Sequence, residues 1–319
     1  MSDAPKLYHW SDGQFKHEIH MSHVSTYSRC PQQMYQKYIR GIEEGKKSPE
    51  LVTGSLQHDF MKDQFRRKRD GHKMMDEDEI SDFVSDQVEE KSALLDMDDA
   101  EEFKRDKDKM IAQATVLNEQ YISRVEPIFV ERPFEVKFPG MEYTFAGQID
   151  MNRSIRKEKY TDASGLEFDE NKIQNQHYAV DDLKTSGSSP SKNEFFGFNP
   201  KPEHWIQHAG YSLGSWVAAG FKVSDYQQTM NSTIYLVKTK TPQVKPANFI
   251  VTKNEIRFLY EMLQSLEQSL KTGLFPPNPM GWWCAPDKCA AFYQCRRKEI
   301  IPFESLFYKD KEDGEKTGE

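Results

Sequence analysis

The stretch Tyr178-Ala179-Val180-Asp181-Asp182-Leu183-Lys184-Thr185-Ser186-Gly187 begins apolar and ends in Ser-Gly. Turn-forming residues continue to Pro190, so a short strand is expected here, with Asp182 and Lys184 near its C-terminal end. Residues two apart on a strand share one face, which sets an acid beside an amine. Such a pair holds a metal and a phosphate together, or it is a solvated surface pair. The rest of the chain has to choose between them.

Upstream, Val130 to Asp150 alternates with period two: Phe134, Val136 and Phe138, then Pro139-Gly140, then Tyr143, Phe145, Gly147 and Ile149. This pattern predicts a hairpin ending at Asp150, so a second acid reaches a strand end before the Asp182 strand. Met151 to His177 between them is polar and long for a hairpin connection, either an excursion with its own structure or a loop. Downstream, Pro202 to Ala219 reads as a helix with His204, Gln207 and Tyr211 on one face and Trp205, Leu213 and Trp216 towards the core. Asn231 to Lys238 and Asn248 to Thr252 read as strands, and Asn254 to Leu270 as an amphipathic helix.

The N-terminal part is helical in pattern. Ser22 to Ile39 is capped at Ser22 or Ser25, with Pro31 marking a kink or a fresh start and Cys30 at the boundary. A helix opening at Leu51 carries His58 beside the stripe Leu56, Phe60 and Phe65. Arg66-Arg67-Lys68-Arg69 follows, either a solvated helix end or a phosphate-steering patch. Asp76 to Tyr121 is acidic, with apolar stripes through Ile80, Val84 and Val88 and through Met110, Ala114 and Leu117, and reads as an inserted helical layer.

Composition narrows the class. The 319 residues suffice for a large core, and one domain with insertions is expected. Mean hydropathy of −0.81 and 29% charged residues imply solvated helices or loops. No apolar run reaches membrane-spanning length and Met1 to Phe15 lacks signal-peptide order, so a cytoplasmic protein is expected. The net charge of −8 argues against wholesale electrostatic binding of nucleic acid, and leaves that reading to a local site. Of four cysteines, Cys284-x4-Cys289-x5-Cys295 are grouped and Cys30 is distant, a ligand pattern more than a disulfide pattern in a reducing compartment.

His58 in Gly54-Ser55-Leu56-Gln57-His58, Asp150 in Ala146-Gly147-Gln148-Ile149-Asp150, Asp182-Leu183-Lys184 and Gln207-x3-Tyr211 stand in the order of the PD-(D/E)XK nucleases. The chain resembles their RecB-like branch. Ser25-x4-Cys30-Pro31-x3-Tyr35 and the three later cysteines are similar to its iron–sulfur subgroup, which includes exonucleases associated with CRISPR adaptation and has phage relatives. The resemblance covers roughly residues 22–70 and 130–298.

The resemblance implies an α/β (α+β) fold, restriction-endonuclease-like, with a central mixed sheet flanked by helices. It implies an extension over 1–21 and one nuclease domain over 22–305, with a helical insertion about 72–125. A cluster segment over 274–298 would join Cys30, and 306–319 would be a disordered tail. Asp150, Asp182, His58 and the Leu183 carbonyl would hold Mg²⁺ or Mn²⁺, whose preference for hard oxygen ligands agrees with the carboxylates. Lys184 would orient the attacking water, and Gln207 and Tyr211 would position the site. Cys30, Cys284, Cys289 and Cys295 would hold a [4Fe-4S] cluster, with Zn²⁺ as the alternative occupant. The implied activity is a metal-dependent exonuclease on DNA, single-stranded or end-containing, with a helicase, recombination or CRISPR-adaptation partner and no membrane. An endonuclease, a non-catalytic nucleic-acid-binding or complex-forming subunit, and a zinc-stabilised interaction protein are the alternatives. Arg66 and Arg67 would contact DNA, and Glu131 would assist near the site. Two features depart from the family: the connection after Met151 is long, and Asp181 adds an acid expected to face away.

Overall fold

The computed structural model describes residues 6–9, 13–42, 47–154, 178–190, 192–193, 197–198, 202–281, 283–286, 289 and 291–297. The expected tail and most of the long connection after Met151 lie outside the described residues. Three short strands come first: β1 (Leu7–His9), β2 (Gln14–Lys16) and β3 (Glu18–Ile19). Leu7 and Ile19 are fully buried in the main core, so the segment expected as an extension contributes to that core. Helix α1 (Met21–Arg29) is capped at His20, not at Ser22 or Ser25, because the first turn begins ahead of both serines. Cys30 is extended, and Pro31, which needs no N–H partner at a first helical position, starts α2 (Pro31–Met34). The proline therefore begins a fresh helix, which runs into a π-helical turn at Tyr35–Ile39.

Helix α3 (Pro49–Arg69) starts ahead of Leu51 because the Ser48 side chain caps it and Pro49 opens it. The acidic region forms α4 (Glu77–Ser92), α5 (Met97–Arg105) and α6 (Lys107–Gln120). Their stripes are buried in one core with Leu56, Phe60 and Phe65 of α3. Strands β4 (Pro127–Val136) and β5 (Thr144–Ser154) follow. The expected end at Asp150 is corrected here: β5 continues through buried Met151, Asn152 and Arg153, which pair with β6 (Tyr178–Ser186). Beyond a small hairpin, β7 (Lys192–Asn193) and β8 (Gly197–Phe198), come α7 (Pro202–Ala218), β9 (Gln228–Val237), β10 (Gln243–Thr252), α8 (Lys253–Thr272) and α9 (Phe292–Arg297). A capping box between Thr252 and Glu255 starts α8, and Gly273, at φ 71°, ends it.

Six strands form a mixed sheet. β10 is antiparallel to β9, β9 parallel to β6, and β6 antiparallel to β5 through Met151–Ser154. β4 runs antiparallel along β5, while β3 pairs parallel with it at Thr144 and Phe145. A strand has two edges, so β3 and β6 share the one that β4 leaves. Helices α1, α7 and α8 pack on one face around Phe145, Ile149, Val180 and Phe249. Helices α3 to α6 pack on the other around Met151, Leu183, Ile234 and Leu236.

Candidate active site

The ladder between β5 and β6 stops at Met151 opposite Asp181. One step further the register sets Asp150 against Asp182, where the two strands part, and β4 sets Glu131 beside Asp150. Three acids thus stand on one rung of three adjacent strands. That rung is irregular. Val130 and Met151 pack into the core under α3 to α6, whereas Phe134, Val136, Phe145 and Ile149 pack into the other. In a regular strand residues of equal parity share a face, so β4 and β5 both reverse faces at this rung. Glu131, at φ 54°, is the described non-glycine residue with positive φ, and it supplies the local turn.

Two helices bring the remaining groups. On α3, a Cβ at Gly54 would meet the Thr185 hydroxyl at 3.3 Å, so glycine lets the helix lie close on β6. One turn later His58 reaches the gap: its Nδ1 is 3.7 Å from an Asp150 oxygen, and it bonds the Leu183 backbone. On the opposite face a Cβ at Gly214 would sit 2.4 Å from the Phe134 ring, so α7 too depends on glycine for its approach. There the Gln207 amide donates to the Tyr211 hydroxyl at 2.8 Å. His204 of the same face is bonded instead to Tyr235, at 2.9 Å.

Burial and the neighbouring Asp182 charge push the Asp150 carboxyl well above the usual range, and the two carboxyls share a hydrogen bond. Burial pushes Asp182 up as well, but Lys184, His208 and His58 outweigh it and hold that group at about 2. Lys184 Nζ lies 3.0 Å from one Asp182 oxygen and 2.8 Å from the other. Asp182 is therefore the readily ionised member of the pair and Asp150 the one whose ionisation is opposed. Burial lowers His58, which leaves its imidazole neutral and able to act as a ligand near pH 7. Burial and both carboxylates keep the Tyr211 hydroxyl protonated.

Two carboxyls and an imidazole around a gap fit a hard divalent cation. The donors stand looser than a closed shell, with His58 at 3.7 Å, which suits Mg²⁺ because that ion keeps several waters. Asp181, as expected, faces away: Arg153 Nε donates to it at 2.6 Å and the Tyr121 hydroxyl donates to it as well. The basic run is engaged in pairs. Arg66 and Lys62 both bond Glu131, Arg67 bonds Asp63 at 2.9 Å, and Arg69 bonds Asp70. His208 is a site residue that the sequence did not reveal. Fully buried, it donates from Nδ1 to the Asn231 side-chain carbonyl at 3.0 Å, and Nε2 meets the Thr233 hydroxyl at 2.9 Å. Thr233 is the partner of Asp182 across the β6–β9 ladder. The spacing His204, His208, Tyr211 was the available signal, four and seven residues along one helix face.

The four cysteines line one pocket with Trp283 and Phe292. Burial raises the Cys289 thiol, and the other three cysteines raise it further. The Asn278 N–H points to Cys30 Sγ at 3.4 Å, which ties the C-terminal segment to the α1–α2 junction. One tetrahedral zinc would hold sulfurs about 3.8 Å apart. Among the described residues no three cysteine sulfurs lie within 4.8 Å of one another.

A family model of the PD-(D/E)XK nuclease superfamily matches residues 19–161, which include His58, Glu131 and Asp150 and stop short of Asp182 and Lys184. The chain is similar to the crystal structure of a candidate exonuclease from Eubacterium rectale, at 14% identity and a TM-score of 0.50, covering 92% of this chain and 94% of that one. It also matches the crystal structure of the protein SSO0001 at 12% identity, covering 89% and 88% of the two chains, with a TM-score of 0.34. No curated protein matches. The fold is thus a mixed α/β, restriction-endonuclease-like one, with a central mixed sheet between helices. The family match supports a nuclease. No helix among the described residues is long and apolar enough to cross a membrane.

Proposed function

We propose that the chain is a metal-dependent deoxyribonuclease of the RecB-like, iron–sulfur kind that degrades DNA from exposed ends and prefers single strands. The observation behind this reading is the meeting of Asp150, Asp182, Lys184 and His58 where β5 and β6 part. Asp150, Asp182, His58 and the Leu183 carbonyl would hold Mg²⁺ or Mn²⁺, which lowers the pKa of a bound water and offsets charge on the scissile phosphate. Lys184 is anchored on Asp182 with its ammonium part-exposed, so it can orient the attacking water and oppose negative charge on the phosphate. Tyr211, protonated and accepting from the Gln207 amide, would use its own O–H to donate towards the same gap. Cys30, Cys284, Cys289 and Cys295 would hold a [4Fe-4S] cluster that fastens the C-terminal segment to α2 and closes a long loop.

The site lies between helices on both faces of the sheet, which favours a flexible strand over a rigid duplex. Arg66 and Arg67 would add attraction for the phosphate backbone at the rim. The test uses end-labelled linear single strands, the matching duplex and a closed single-stranded circle, with Mg²⁺ or Mn²⁺. Linear single strands should disappear first and the circle should resist. Asp182→Asn and Lys184→Ala should each lower turnover by about 10²-fold or more while the circular dichroism stays native. Equal cutting of the circle would make the protein an endonuclease. Binding without turnover in the native protein would make it a non-catalytic subunit.

A further inference from the structure

The described residues hold one group of three His, Cys, Asp or Glu side chains with donor atoms all within 4.8 Å of one another, and it lies away from the nuclease gap, whose donors stand further apart. It comprises His9 of β1, Glu18 of β3 and His20 at the start of α1. His9 is 2% exposed, while the side chains of Glu18 and His20 keep 30% and 28% of their surface. The group has a closed back and one face towards solvent.

One donor atom from each of the three residues lies within 4.8 Å of the others. Nδ1 of His9 is 3.3 Å from Nδ1 of His20, whereas the Glu18 oxygen lies 3.4 Å from the other nitrogen of that ring, Nε2, so an ion held between the two Nδ1 atoms would draw the Glu18 carboxylate away from that contact. Two nitrogens bound to one tetrahedral zinc stand about 3.4 Å apart, whereas 3.3 Å is long for a nitrogen-to-nitrogen hydrogen bond. His23 sits beside them but is otherwise engaged. Its Nδ1 accepts the His20 backbone N–H at 3.0 Å, and it also bonds the Tyr8 backbone. Its ring stacks on His20 with centroids 5.6 Å apart and packs against His9 at 4.9 Å, which fixes both rings in place.

We propose that His9, Glu18 and His20 form a second metal site, for a divalent ion of the zinc class, with water in the fourth position. Two imidazoles and one carboxylate suit that class, while the carboxyl-rich nuclease gap suits Mg²⁺. The site has a structural use. β1 and β2 form a two-stranded sheet of their own, separate from the six-stranded sheet that β3 joins through β5. An ion shared by β1, β3 and the start of α1 staples the first sheet to the second.

The test uses the full-length chain, stripped with chelator and returned to excess Mg²⁺ so that zinc is kept from the carboxylate gap. Zinc is then titrated in, and bound zinc, iron and melting temperature are measured for the native chain, Glu18→Gln and His20→Gln. Each variant should bind one zinc per chain fewer than the native protein, with its iron unchanged. Zinc should raise the melting temperature of the native chain and not that of Glu18→Gln, which keeps its side-chain shape. Should a variant fail to fold, Co²⁺ bound to the native chain decides: weak visible bands without sulfur-to-cobalt charge transfer support the site. Equal zinc in native and variant chains, or thiolate bands alone with Co²⁺, overturns the proposal and leaves the histidines as packing residues.

Discussion

Acid should weaken the fold through His208, by an amount that follows from where the ring sits. In the unfolded chain a histidine takes its proton near pH 6.5. Burial lowers His208 to about 4, despite the pull of Asp182 and its bond to Asn231. Between those values the unfolded chain binds a proton that the folded chain does not, so unfolding becomes easier as the pH falls. The loss is absent above pH 6.5, grows below it and is complete near pH 4. At about 1.4 kcal/mol per pH unit the full loss is about 3 kcal/mol, or roughly 4–5 °C in Tm for a domain of this size. His208→Gln stays neutral throughout. It should cost about 1–3 kcal/mol at neutral pH, because Asn231 and Thr233 each lose a bond to the buried ring, and it should flatten the pH dependence. Urea unfolding of both proteins in EDTA, from about pH 7.5 to about pH 4, reads the effect. Carboxylates titrate in both chains and cancel in the comparison. Parallel stability curves would refute the reasoning.

Gly214→Ala should destabilise by about 1–3 kcal/mol, since its Cβ would lie 2.4 Å from the Phe134 ring; a Tm unchanged from native would show that α7 shifts freely. Because burial and Asp182 raise the Asp150 carboxyl, binding of Mg²⁺ should favour its ionised form and release protons increasingly as the pH is lowered. Calorimetry in two buffers of different ionisation enthalpy detects this, and equal heats would mean that Asp150 is already ionised. Cys289→Ser should bleach anaerobically purified protein and lower its iron, sulfide and soluble yield; a colourless native protein with stoichiometric zinc would favour the zinc reading.

The Asp182–Lys184 pair was legible in the sequence because period two needs only a handful of residues, and β6 spans Tyr178–Ser186 much as Tyr178 to Gly187 predicts. The same rule misjudged the end of β5. Asp150 looked terminal because polar residues follow, yet Asn152 and Arg153 are buried and paired by β6, a partner that local sequence does not announce. His208 escaped for a related reason: its role rests on Asn231 and Thr233, which arrive from another strand. The hairpin of β1 and β2 was also unread, since strands of three residues have too little pattern to register. Long-range pairing decided each of these cases, and neither propensity nor periodicity reports it.

The irregular rung shows why the acids gather where they do. A continuous ladder would bind the backbone of Asp182 to β5 and leave no gap beside it; the end of pairing after Met151–Asp181 opens one. The face reversal then re-aims Asp150, which lies between Ile149 of one core and Met151 of the other. Such a reversal needs a residue outside the β region, and Glu131 takes that position without the freedom of glycine, at a cost of about 1–3 kcal/mol. Lys62 and Arg66 hold its carboxylate, so the strain is spanned by ion pairs from α3, the helix that also delivers His58. The basic residues nearest the gap therefore act first on the protein itself. They steady the twisted strand and offset the third acid, which leaves Asp150 and Asp182 as the carboxyls open to a cation.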